Sequence, residues 1–332
     1  MWKRLAHLAG ILVAVGVGCA AIWVLWKQAQ ILDYDLVVAQ FGALSITSIL
    51  LALVCTVGAY LTLSIYDSTA FQYIKRSMHF PRIMLVSFIA YSFSHNLGFG
   101  AVTGNSIRYR FFSQWKVPVI DIAKVVVFGG SAYILGLVTI AGLLILVNAE
   151  ALSLAIGLPI SSAYLIGVAA ALVGSIYLFW SLLKWPTIRL RGVELPPPPL
   201  RIVLIQLGAA AIEWGLAAGA LYFLLPVHGG LDYWHFIGLF VIAYIAGMLS
   251  QVPGGLGVFE AVLLLLLPQE ITRETIVAAV ITYRAIYYLL PLLVAALLMT
   301  SAEVTIRGRL VTRFAWWRRK QRRQDAKSTE HS

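Results

Sequence analysis

Charge is what this chain has least of. Asp, Glu, Lys and Arg together make up 12% of its 332 residues, against 61% hydrophobic residues, and the mean hydropathy is +0.87. Before about residue 307 no stretch is long and polar enough for a separate water-soluble domain. Spans of roughly 20 apolar residues recur along the whole length instead, the mark of a polytopic membrane protein. Cysteine occurs twice, at Cys19 and Cys55, both inside apolar stretches. That leaves no disulfide framework and suits small packing residues. The six histidines are scattered, with no His-x-x-x-His and no cysteine cluster, so no metal site is expected. No Walker sequence is present, which leaves ATP drive unsupported. The glycine-rich turns do not follow strands, so a dinucleotide site is excluded on context. The expectation is a chain without a cofactor.

What charge there is reports topology. The net charge of +11 sits mostly in short loops and in the tail after Arg307, so it does not point to nucleic acid. Full-length candidate spans are about 5–26, 41–66, 125–147, 160–183, 202–225 and 275–300. The start Met1-Trp-Lys3-Arg4 with its apolar run reads as an uncleaved first helix, because further spans follow. With the N-terminus inside, all Lys and Arg fall in inner loops or the tail except Lys27, Arg273 and Arg284. This obeys the positive-inside rule and sets both termini in the cytoplasm of a bacterial inner membrane.

Two regions resist a single-span reading. Residues 83–117 and 236–268 each split into two short apolar legs around a glycine-rich turn: Gly98, Gly100 and Gly104 in the first, Pro253, Gly254, Gly255 and Gly257 in the second. Legs of about 11–15 residues reach about 16–23 Å, short of a hydrocarbon core of about 30 Å. Each reads as a re-entrant hairpin, tolerable only when buried in protein or facing a wet cavity. The order span, span, hairpin, span then occurs twice, from opposite sides. The expected fold is all-α with an inverted-topology repeat: residues 1–150, residues 151–306, and a basic cytoplasmic tail at 307–332. Paired interrupted segments in the two halves point to a transport site between them. Plain kinked helices without a ligand are the alternative.

The ionisable residues beside these breaks are the candidate site. Arg108 and Arg110 open the returning leg of the first hairpin; a buried guanidinium matches phosphate oxygens with a bidentate fork, or serves a structural ion pair. Glu260 lies one turn past Gly257 and can pair with Arg108 or Arg284, or receive an ammonium group. Glu213 falls mid-span, where a carboxylate is costly and usually faces the bundle interior or a cavity. Arg284 lies in the last span, with Tyr287 and Tyr288 at helical spacing and Tyr283 before it. His95 and Asn96 end the first leg, with His95 one turn past Tyr91. The tail from Arg307 to Lys327, with Trp316 and Trp317, suits an anionic inner leaflet.

The run from His95 to Arg110, the run Pro253-Gly-Gly-Leu-Gly257-Val-Phe-Glu260, and the run Tyr283-Arg284-Ala-Ile-Tyr287-Tyr-Leu-Leu-Pro291 resemble the membrane region of bacterial lysylphosphatidylglycerol synthase/flippases, the multiple peptide resistance factor family. The resemblance covers nearly the whole chain. It implies an integral inner-membrane protein linked to lipid translocation. The family's full-length enzymes add a soluble aminoacyl-transferase domain, which the 26-residue tail here is too short to form. The expectation is therefore a lipid translocator rather than a synthase. Arg108 and Arg110 would take phosphate, and Glu260 and Glu213 any cationic group. The expected partners are a phospholipid or other anionic or zwitterionic lipid, and a separate lipid-modifying enzyme. A membrane-embedded enzyme using His95 or Glu260 as acid or base, and a non-transporting accessory subunit, are the rival readings.

Overall fold

The structure, a computed structural model, describes residues 34–96, 100–157, 159–190, 193–226, 231–250, 252–268 and 270–301. The first expected span, Gly98 and the basic tail lie outside these residues. The described chain runs α1 (Tyr34–Ala43), α2 (Ile46–Tyr73), α3 (Phe80–Asn96), α4 (Gly100–Gln114), α5 (Val119–Val147), α6 (Ala149–Ile156) and α7 (Ile160–Leu182). A small hairpin of β1 (Ile188–Leu190) and β2 (Val193–Leu195) follows. Then come α8 (Leu200–Tyr222), α9 (Tyr233–Leu249), a tight turn at Pro253–Gly255, α10 (Val258–Leu266) and α11 (Arg273–Tyr283). The last helix continues through a π-helical stretch, Arg284–Leu289, to Ser301.

Five of these helices are long and apolar enough to cross a membrane: Ile46–Tyr73, Val119–Val147, Ile160–Leu182, Leu200–Tyr222 and Arg273–Ser301. Their outer faces carry exposed Val54, Leu165, Ile176 and Leu297, which water would penalise and lipid does not. The chain is a polytopic α-helical membrane protein.

Within lipid, helices are held by close packing rather than by a hydrophobic drive, so small residues mark the contacts. A Cβ on Gly142 of α5 would sit 2.3 Å from the main-chain N of Ala171 on α7, and one on Gly136 would sit 2.7 Å from the Cβ of Ala210 on α8. These glycines let α5 lie directly on both neighbours. Two buried clusters result. The larger is built around Leu63, Tyr66, Trp214, Phe240 and Tyr283. The smaller, around Phe71, Phe111, Phe112 and Phe128, packs the ends of α2 and α4 against the start of α5.

The interrupted regions are helix pairs. α3 packs on α4, and α9 on α10. The legs have 17, 15, 17 and 9 residues; at 1.5 Å per residue all fall below about 30 Å. In one respect the expected turn is corrected. Gly104 is not in a turn but inside α4, and Gly100 is that helix's first residue. A Cβ on Gly104 would meet Ser94 Oγ at 2.3 Å and the carbonyl O of Ala90 at 3.2 Å, so its glycine is needed for contact between the legs. The second turn is glycine-made as expected: Gly254, Gly255 and Gly257 have φ of 60°, 62° and 84°, conformations in which an L side chain is strained.

Two features depart from the expected pattern. The short antiparallel pair β1–β2, with Arg189 opposite Glu194, precedes the Pro196–Pro199 connector. Ser181 and Tyr73 hydroxyls then hold that connector by its Pro198 and Pro196 carbonyls. The second departure is the π-helical stretch. Pro291 has no N–H to give the carbonyl of Tyr287 four residues back, and its ring crowds that oxygen. The preceding turn widens, a frequent response in helices.

Candidate functional site

A cavity of about 580 Å³ lies between the two helix pairs. Its walls come from the end of α3 (Tyr91, Ser94, His95), the first half of α4 (Val102, Asn105, Arg108) and the middle of α5 (Val126, Gly130, Tyr133, Ile134). The end of α9 (Tyr244 to Leu249), the glycine turn, Phe259 and Tyr288 complete it. Several of its apolar lining residues are exposed: Val102 is 67% exposed and Leu249 66%, with Ile134 and Met248 also exposed.

Arg108 is the fixed charge of this cavity. It is only 6% exposed. Its Nε donates to both carboxylate oxygens of Asp67 on α2, at 3.0 Å each. Ser87 on α3 donates to the same carboxylate, and Gly129 on α5 leaves room for it, since a Cβ there would lie 3.4 Å from Oδ1. The guanidinium carbon sits 4.6 Å from the Tyr91 ring centre, a cation–π arrangement worth more where water is excluded. Of the five guanidinium N–H groups, the one on Nε is engaged with Asp67. Arg110, two residues on, is exposed and does not line the cavity, because residues at i and i+2 of a helix point apart.

The second charged centre closes the glycine turn. Glu260 Oε1 pairs with Arg284 Nε, while Oε2 accepts the Gly257 N–H at 2.8 Å. Arg284 Nη1 donates to the Gly254 carbonyl at 3.0 Å. Of the two partners expected for Glu260, the structure gives it Arg284 and gives Arg108 to Asp67. The two hairpin ends also meet: a Cβ on Gly254 would lie 3.5 Å from the His95 carbonyl. Neither Glu260 nor Arg284 lines the cavity.

The aromatic candidates hold the α3 end to the last helix. Tyr60 hydroxyl donates to the Tyr287 carbonyl, 3.1 Å, and Asn96 Nδ2 to the Tyr288 carbonyl, 3.2 Å. Both acceptors lie in the widened stretch before Pro291. Tyr283 and Tyr287 stack at 5.1 Å, and Tyr288 carries the cation–π contact to Arg284 at 5.2 Å. The widened turn thus separates Tyr287 from the face that Arg284 and Tyr288 share. His95 sits among Tyr60, Tyr91 and Tyr288, and its Nδ1 is buried without a hydrogen-bond partner among the described residues. Glu213 is 1% exposed and does not line the cavity.

Several groups escaped the sequence reading. Asp67 sat just past the expected end of a span at residue 66, but α2 runs on to Tyr73 and buries it. Its signal was a lone carboxylate in Tyr66-Asp67-Ser68-Thr69, continuous with an apolar helix. Tyr133 and Tyr244, whose hydroxyls meet at 3.1 Å across the cavity, had no signal beyond their place in apolar runs. Among the described residues no group of three His, Cys, Asp or Glu side chains forms a metal site.

Comparison with known sequences gives a consistent result. The profile of the lysylphosphatidylglycerol synthase TM region matches residues 8–295. An uncharacterized protein of Synechocystis is 30% identical over 303 residues, 91% of this chain and 94% of that protein. Inner membrane protein YbhN of Escherichia coli is 28% identical over 295 residues, covering 87% of this chain and 92% of its own length. Phosphatidylglycerol lysyltransferase of Bacillus subtilis is 26% identical over 310 residues, 91% of this chain but 35% of that larger protein.

Proposed function

The chain belongs to the lysylphosphatidylglycerol synthase TM region family, and from that premise we propose that it moves a phospholipid-type headgroup between the leaflets of the inner membrane. The observation that carries this reading is a cavity with a fixed arginine in its wall and exposed apolar residues at its edge. A lipid needs that combination. Its headgroup enters the cavity while its tails stay outside among Val102, Ile134 and Leu249. A volume of about 580 Å³ is within the usual range of about 300–1,000 Å³ for small-molecule sites.

The mechanism follows from how Arg108 is held. Asp67 fixes the guanidinium through Nε and the Tyr91 ring packs against it, so the two terminal nitrogens are held in one orientation. They form the fork that phosphate oxygens fit. Asn105, Ser94 and the Tyr133–Tyr244 pair offer hydrogen bonds to the rest of the headgroup. The two helix pairs are re-entrant, open to opposite faces, and rock as parts of an inverted repeat, which moves the cavity's access from one leaflet to the other. Arg110, being exposed, serves the membrane surface rather than the phosphate.

A second role is favoured by the lysyltransferase relatives, in which this region is about a third of the protein. The chain works beside a separate lipid-modifying enzyme and handles that enzyme's product. The test of the main reading is capture. A phospholipid with a photoactivatable group in its tail, near the headgroup, is irradiated with the purified chain. The expected adducts fall on peptides bearing Val102, Ile134 or Leu249, and Arg108→Ala removes them. Adducts spread evenly over the lipid-facing helices, unchanged by that substitution, contradict the proposal.

A further inference from the structure

Glu213 is a predicted site residue that is buried in the core and does not line the cavity. It projects from α8 into the larger core cluster and is 1% exposed. Its Oε2 is buried and has no hydrogen-bond partner among the described residues, and neither do two polar atoms of its surroundings, Tyr66 Oη and Trp214 Nε1. Among the described residues no Lys, Arg or His forms an ion pair with it: Arg108 pairs with Asp67 and Arg284 with Glu260.

The titratable groups within electrostatic range of Glu213 are tyrosines: Tyr60 and Tyr66 on α2, Tyr91 on α3, Tyr133 on α5, Tyr244 on α9, and Tyr287 and Tyr288 in the π-helical stretch. On α7, Tyr177 donates to Gln206 and Tyr164 is exposed. Tyr91, Tyr133, Tyr244 and Tyr288 also line the cavity, where the Tyr133 and Tyr244 hydroxyls meet at 3.1 Å. Trp214, next to Glu213 on α8, packs on Tyr244 with ring centres 4.5 Å apart.

A carboxylate at this place has no counter-ion and too few donors, and burying one so is very costly. Glu213 exposes almost no surface and does not line the described cavity, so a proton is the ligand its carboxyl can take in this packing. From this placement we infer that Glu213 is the binding site of a proton coupled to the movement of the cavity. The inference rests on the transport reading above, and it reassigns Glu213 from the substrate's cationic group. The step is a proton transfer only. An O–H bond forms on a Glu213 oxygen as an O–H bond of a hydronium ion from one side of the membrane breaks and leaves water, the proton reaching the carboxyl when the packing around it opens. That bond breaks when the cavity opens to the other side and the proton leaves to water there. Loss of the proton would put an unpaired charge in the core, so the charged state favours a rearranged packing of α8 against α2 and α5.

The test separates the proton site from lipid transport. Infrared difference spectra of the purified full chain in lipid nanodiscs are recorded across a pH titration, for wild type and Glu213→Gln. The expected result is a carbonyl band of a protonated carboxyl that is lost as pH rises and is missing from the variant. Glu213→Asp, which keeps the acid, should shift the band, and this variant serves if the glutamine form does not fold. Absence of any Glu213-dependent band across the titration overturns the inference. The second arm uses vesicles containing a fluorescent phosphatidylglycerol and an imposed pH gradient. Leaflet exchange by wild type should change several-fold with the gradient, and that response should be lost in Glu213→Gln. Exchange by wild type that ignores the gradient overturns the coupling. A titrating Glu213 band in a chain that exchanges no lipid supports the proton site and contradicts the transport reading instead.

Discussion

In the first hairpin the charge on the returning helix is Arg108, and it reaches out of the hairpin to Asp67 on α2 while facing the cavity. In the second it is Glu260, which turns back on its own hairpin, accepting the Gly257 N–H and holding Arg284 against the Gly254 carbonyl. The returning helices differ to match. α4 has 15 residues, whereas α10 has 9 and follows three glycines at positive φ. A turn of that kind needs a lock, since each such residue is free to leave its conformation in the unfolded chain. The comparison teaches that matching positions in two hairpins do not imply matching work. One ion pair orients the proposed binding group; the other fixes a loop.

The largest effect expected is at the first pair. Arg108→Ala leaves Asp67 buried and unpaired, which should cost roughly 3–5 kcal/mol of stability and abolish lipid exchange. Arg108→Ala combined with Asp67→Ala should recover most of that stability, read as thermal unfolding in detergent, without recovering exchange. Recovery of exchange as well would reduce this pair to a structural element and remove the contrast between the hairpins.

The second pair should respond the other way. Its side chains are 15% and 19% exposed, so Glu260→Gln should cost less, about 1–3 kcal/mol. Exchange should fall only as far as folded protein falls. A fully folded Glu260→Gln that exchanges nothing would move the second pair into the transport machinery. At the turn itself, Gly255→Ala meets both a φ of 62° and a Cβ 3.0 Å from Gly247 Cα. It should cost about 1–2 kcal/mol or more, again seen in thermal unfolding. Tyr244→Phe removes the hydroxyl contact to Tyr133 and should cost about 0.5–1.5 kcal/mol. The smallest effect is at Arg110→Ala, within about 0.5 kcal/mol, because the residue is exposed.

The hairpins and the described spans were legible because bilayer thickness fixes how many apolar residues a crossing needs. Arg108 and His95 were legible as cavity residues because polar groups beside glycine breaks in apolar segments have few other reasons to occur. Asp67 was not, because the apolar run ended before the helix did, and a carboxylate at such an edge reads as a loop residue. Gly104 was read as a turn because composition does not distinguish a glycine that bends the chain from one that lets two helices touch. The widened turn at Arg284–Leu289 was hidden for a related reason. Pro291 signals a break, but the helix absorbs it by changing pitch and giving two carbonyls to Tyr60 and Asn96. Glu213 was grouped with the substrate contacts since a charge in mid-span suggests a cavity. Only the packing of α8 buries Glu213 in the core and leaves it out of the cavity lining.

The central claim is that the cavity behind Val102 and Leu249 passes a lipid headgroup using Arg108. It is tested most directly by reconstituting the purified chain in vesicles with a trace of phosphatidylglycerol carrying a fluorescent headgroup-side label. A membrane-impermeant quencher then reports the fraction of label reachable from outside. The account predicts that wild type makes the inner-leaflet label reachable over time, that Arg108→Lys, which keeps the charge but loses the fork, is strongly slowed, and that extracted lipid is chemically unchanged. Reachability no greater than in protein-free vesicles, or full activity in Arg108→Lys, would contradict it.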